Sequence, residues 1–132
     1  MKNTFNFIKY LLQIYLTRSW STKVIDILYK YFLNVDKKKF FSDLYMNKSD
    51  LKKMIKNGMY VGGHGYNHIH LENVDKDNQL KEINENMKFL KSIGSPTKNW
   101  IMCYPHGSYN KNLINILQKK DCMCAFTTKK GF

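Results

Sequence analysis

Arginine is almost missing. Arg18 is the only one among 22 basic residues, and the other basic side chains are lysines. Proteins that read nucleic acid lean on arginine for bidentate contacts to bases and phosphates, so no nucleic-acid partner is expected. The net charge of +12 lies on lysines scattered along the chain among asparagines. That pattern reads as a solvated surface, with attraction to an acidic polymer or an anionic membrane surface as the other reading. Cysteine is sparse as well. Three is an odd number, which argues against a disulfide framework and for a reducing compartment. No run of 18 apolar residues occurs, which excludes a membrane-spanning helix. The opening "MKNTFNFIKYLLQIYL" is interrupted by Lys9 and Gln13, and no small-residue cleavage site follows it. No export signal is therefore expected, which by itself reads as cytoplasmic. Repeats and low-complexity tracts are also missing.

What is present suffices for a core. The chain has 132 residues and 43% hydrophobic content. That is one domain's worth at about 100–200 residues each.

Apolar residues recur at helical spacing over 3–16 and 21–33, with "RSWST" between them as a turn and Ser21 or Thr22 as an N-cap. "NVDKKKFFSDLYM" reads as a connector. The sequence therefore divides into an N-terminal helical and connector region, 1–48, and an α/β region, 49–132. In the latter, "SDLKKMIKNG" is a helix capped by Ser49 and stopped by Gly58, and "MYVGG" is a strand. "VDKDNQLKEINENMKFLKSIG" is a helix with Leu80, Ile83, Met87 and Leu90 on one face. "WIMCY" is a strand, "NKNLINILQKKD" a helix with Leu113, Ile114 and Leu117 inward, and "CMCAFTT" the last strand. Alternation of this kind predicts α/β architecture: a parallel sheet with crossover helices.

In such sheets the working residues follow the C-terminal ends of strands. Two candidate loops fall there, "HGYNH" after "MYVGG" and "PHGSYN" after "WIMCY". His64 and His68 stand four apart, a spacing that lets two imidazoles reach one cation. The plain alternative is a pair of loop histidines bonded to backbone. His106 could approach the same pocket from the second loop, whereas alternation along an extended chain turns His70 away from His68. Pro105 fixes the second turn and Gly107 relaxes it, leaving backbone N–H groups to face the strand-end cavity. Such groups hold a developing oxyanion in acyl transfer. Ser108 or Asn110 can equally be the N-cap of the next helix. Cys122 and Cys124 read as core residues of a buried strand rather than as metal ligands.

Taken together, "GMYVGGHGYNH", the helix after it and "NWIMCYPHGSYN" resemble the polysaccharide deacetylase (NodB-homology) family over roughly residues 49 to 128. Those enzymes carry a strand leading into H-[S/T]-x-x-H, a helix, then a strand ending in a P-[Y/F]-G turn. The resemblance implies a partial, distorted (β/α) barrel preceded by N-terminal helices. It implies hydrolysis of acetyl-amide bonds in an N-acetylated polysaccharide or oligosaccharide. A divalent metal, commonly zinc, would be held by His64 and His68, and the backbone N–H of His106 would serve as oxyanion donor between Pro105 and Gly107. A location at the cell envelope is also implied.

Departures accompany it. Gly65 replaces the usual Ser/Thr, Cys103 stands where many members have arginine, and "NTFNF" has no aspartate to serve as the family's early T-F-D-D motif. The later leucine-rich motif with its histidine is absent, and a full barrel takes about 250 residues. The expectation is thus an incomplete domain: a truncated reading frame, one part of a split protein that a second chain would complete, or a remnant. The alternative is a non-catalytic basic module binding acidic glycan, membrane surface or nucleic acid.

Overall fold

A computed structural model describes residues 2–33 and 35–131. The chain divides into two units, residues 1–45 and 46–132.

The first unit is helical. Helix α1 (Lys2–Tyr10) runs into a π-helical turn (Leu11–Tyr15), followed by α2 (Arg18–Phe32) and α3 (Lys37–Leu44). Here the structure corrects two expectations. "RSWST" is the first turn of α2 and not a turn between helices, because its hydroxyls bond backward instead of capping. Ser21 Oγ donates to the Leu12 carbonyl at 2.7 Å and Thr22 Oγ1 to that of Arg18 at 2.9 Å. "KKKFFSDL" is a helix, not a connector, because Asp36 caps it by accepting from the N–H groups of Lys38 and Lys39. Tyr29, Phe40, Phe41 and Tyr45 form a chain of ring contacts with centroids 5.7–6.3 Å apart. Among the described residues of this unit only Ser21 is buried.

The second unit holds the core. Helix α4 (Lys48–Lys56) starts one residue before Ser49. Asn47 is its N-cap, in a reciprocal capping box with Asp50. Helix α5 (Lys76–Ile93) is capped by Asp75 and stopped by Gly94 at φ +85°. Strand β1 (Trp100–Cys103) pairs in parallel with β2 (Cys122–Phe126), and α6 (Lys111–Lys119) makes the crossover between them. Asn110, one of the two expected caps, starts α6 by accepting from Leu113 N–H at 3.0 Å. Leu71, Ile83, Leu90, Ile93, Trp100, Met102, Tyr104, Leu113, Ile116 and Leu117 form one buried cluster between helices and sheet.

"MYVGG" is not a full strand. It reaches β1 through one parallel bridge, Gly63 to Met102. The Tyr60 hydroxyl takes the next ladder amide, that of Ile101, at 2.7 Å, and two glycines offer no side chains to pack. β2 also departs from simple alternation. Trp100 faces Cys122 but Ile101 faces Cys124, a register irregularity that leaves Cys122 half-buried and Cys124 exposed rather than in the core. The fold is α/β, with parallel segments joined by crossover helices, as the sequence order implied.

Candidate metal centre

Gly63 N–H donates to the Ile101 carbonyl and Cys103 N–H to that of Gly63, each at 2.8 Å. These bonds bring His64 beside the end of β1. A carbonyl oxygen can only accept, so the 2.8 Å contact between His64 Nδ1 and the Cys103 oxygen makes Nδ1 the protonated nitrogen. In the neutral form of the ring, the lone pair is then on Nε2. Metal-ligating histidines are commonly fixed in this way.

The loop after His64 turns through Gly65 at φ +71° and His68 at φ +54°. A Cβ at Gly65 would stand 3.1 Å from Pro105 Cγ, so glycine suits both the dihedral and the contact. His68 and His106 (φ +57°) carry side chains in the left-handed region, at a cost on the order of 1 kcal/mol or more each. Such strain persists where the surroundings enforce it.

All four histidines of the chain meet here. His68 lies 4.8 Å from His64 and 4.6 Å from His106 between ring centroids, both edge-on, and His70 stacks on His106 at 4.0 Å. His70 was expected to face elsewhere. The chain leaves the extended state at His68 and enters a 3₁₀ turn at Leu71–Asn73, which swings His70 back. Partial burial, then the neighbouring imidazoles, lower the pKa of His68 and of His106, so both are neutral at neutral pH.

The second loop is a 3₁₀ turn, Pro105–Gly107, with Pro105 buried. Gly107 N–H closes on the Tyr104 carbonyl at 2.9 Å and Ser108 N–H on that of Pro105 at 3.0 Å. The Gly107 amide is therefore used within the turn and does not face a cavity. Gly107 itself (φ +68°) lies so close to Thr128 that a Cβ would collide with that side chain. Ser108 is not the N-cap of α6; its hydroxyl accepts from Glu72 N–H at 3.0 Å.

Helix α5 backs the first loop with three buried polar residues at helical spacing, which sequence reasoning missed. Gln79 Nε2 donates to the Leu71 carbonyl at 2.8 Å. Glu82 Oε2 accepts from the backbone N–H groups of Tyr66 at 3.0 Å and Asn67 at 2.8 Å, and Oε1 accepts from Asn67 Nδ2. Asn86 Oδ1 faces His64 N–H at 3.4 Å. The only signal for them was their spacing beside the apolar stripe, which a solvated face shares.

As donors, His64 and His68 fit a divalent cation: they are adjacent imidazoles, one with its tautomer fixed. Among the described residues, no group of three or more His, Cys, Asp or Glu converges on a single point.

The sequence profile of the polysaccharide deacetylase family matches residues 4–125, reaching well before residue 49. No curated protein sequence matches the chain. Among solved structures, the deacetylase PplD of Streptococcus pyogenes, in complex with acetate, is 28% identical, with TM-score 0.60 over 65% of this chain and 38% of that one. The family 4 carbohydrate esterase of Streptomyces lividans, also with acetate, is 22% identical, with TM-score 0.54 over 61% and 41%. The wild-type BA3943 of Bacillus anthracis, a CE4 family pseudoenzyme, is 14% identical, with TM-score 0.55 over 79% and 37%. The last two show likeness of fold alone. The chain spans about two fifths of the length of these structures, and its sheet and crossover helices fit a partial barrel. By the profile match over most of its length, the chain belongs to the polysaccharide deacetylase family.

Proposed function

We propose that the chain acts in metal-dependent hydrolysis of the acetyl-amide bond of an N-acetylated polysaccharide or oligosaccharide, with His64 and His68 as ligands of a divalent cation, zinc foremost. The observation that carries this reading is the pairing of His64 and His68 at a strand end, with His64 Nδ1 tied to the Cys103 carbonyl. A cation bound there would polarise the amide carbonyl and acidify a water. The lowered pKa of His68 favours its neutral form, which presents a lone pair without first losing a proton. Pro105 holds the second turn, and the His106 N–H, outside the two bonds that close that turn, is the oxyanion donor. For the third ligand and the general base, our proposed source is a second chain.

A cobalt titration of the full chain beside His64→Ala and His68→Ala tests this. Visible absorption bands that appear with the wild type and vanish in both variants are expected. Bands of equal strength in all three, or none in the wild type, sink the reading. Binding to anionic polymers that fades with salt and ignores His64 would then favour the basic binding module.

A further inference from the structure

Between the two proposed ligands lie three residues, Gly65, Tyr66 and Asn67. The backbone amides of two of them end on one side chain, Glu82, which is only 6% exposed. Its second oxygen takes the Asn67 side-chain amide. One carboxyl group thus collects the loop from within, and its own root is fixed, because the next residue, Ile83, is fully buried in the core. No hydroxyl stands at Gly65 to order the loop. The approach of Pro105 Cγ leaves little room for a side chain there.

We propose that Glu82 is the positioning residue of this site: it sets the spacing and aim of His64 and His68 by holding the amides of Tyr66 and Asn67. This rests on the reading of those histidines as ligands. A purely structural role would be satisfied by any cap that keeps α5 and the core intact. The positioning role requires that the loop lose its geometry while the fold survives. Asn67, bonded twice to Glu82, is the residue immediately before His68, so a shift there passes directly to a ligand.

The test compares the wild type with Glu82→Ala, Glu82→Gln and, as a control of equal charge change on the same helix, Glu85→Gln. Far-ultraviolet circular dichroism monitors the fold, amide hydrogen exchange reads the loop, and cobalt absorption reads the site. In Glu82→Ala the amides of Tyr66 and Asn67 should exchange faster, and cobalt affinity should fall about ten- to a hundredfold, the usual effect of removing a group that orients a ligand. Glu82→Gln, which keeps one accepting oxygen, should fall in between, and Glu85→Gln should match the wild type. A folded Glu82→Ala chain with unchanged cobalt affinity overturns the proposal and leaves the metal reading standing. If Glu82→Ala does not fold, Glu82→Gln decides by the same criterion. A wild-type chain that takes up no cobalt overturns the metal reading, and Glu82's role toward ligands with it.

Discussion

At the scale of residues, His68 and His106 couple the site to pH. Each ring keeps an exposed edge, but partial burial and the facing imidazoles (His64 and His70 around His68; His70, His68 and His64 around His106) hold both below the ordinary value of about 6.5. A lowered imidazole favours the neutral form in the folded chain, while the unfolded chain takes up the proton more readily. Stability from this source is therefore complete above about 6.5 and is lost as pH falls through the lowered folded values. Asp75, also lowered, by the amides of Asn78, acts in the same sense at more acidic pH. Melting of the metal-free chain between pH 7.5 and 5 should show a falling midpoint, and His106→Asn should flatten the fall. A wild-type midpoint that holds or rises toward pH 5 contradicts this. His64 and His68 do stand side by side, as their four-residue spacing allowed. His70 was not, because the alternation rule assumes a chain that stays extended, and His68 at φ +54° breaks it. Glu82 was invisible because a helical acidic residue normally faces water.

At the scale of elements, the segment before His64 is the weak point. Its one bridge depends on Gly63, where a Cβ would stand 2.5 Å from Trp100 Cζ3 and 2.6 Å from Asn86 Nδ2, both on buried residues. Gly63→Ala must push the tryptophan or the segment aside, which should cost about 1–3 kcal/mol. Urea unfolding would measure it, and an unchanged midpoint would mean that the close approach is absent. The order of α4, α5, β1, α6 and β2 could be read from the sequence because cap residues and apolar stripes agreed there. α3 could not, since its aromatic pair carries no helical stripe and only the Asp36 cap announces it. The start of α2 was misplaced because a serine or threonine hydroxyl serves equally as a cap or as a donor to an earlier carbonyl. "MYVGG" had the composition of a strand, and only the Tyr60 hydroxyl on the Ile101 amide shows why it pairs at one point.

At the scale of the whole molecule, burial is unevenly shared. The continuous apolar core belongs to residues 46–132, whereas the described large apolar residues of the first 45 are exposed or half-buried. Opening free energy follows buried contacts, so the first unit should come apart before the second. The two tryptophans fall one in each unit. Trp20 is 61% exposed, with Lys23 Nζ 5.1 Å from its ring centre. Trp100 is fully buried, and its indole N–H donates to the Lys120 carbonyl at 2.7 Å. Acrylamide should therefore quench Trp20 fluorescence at once and leave a blue-shifted Trp100 emission, which Trp20→Phe should isolate. Ready quenching in that variant would place Trp100 at the surface. The chain thus carries two native optical channels, red and blue, through which the opening of each unit can be timed in one unlabelled sample.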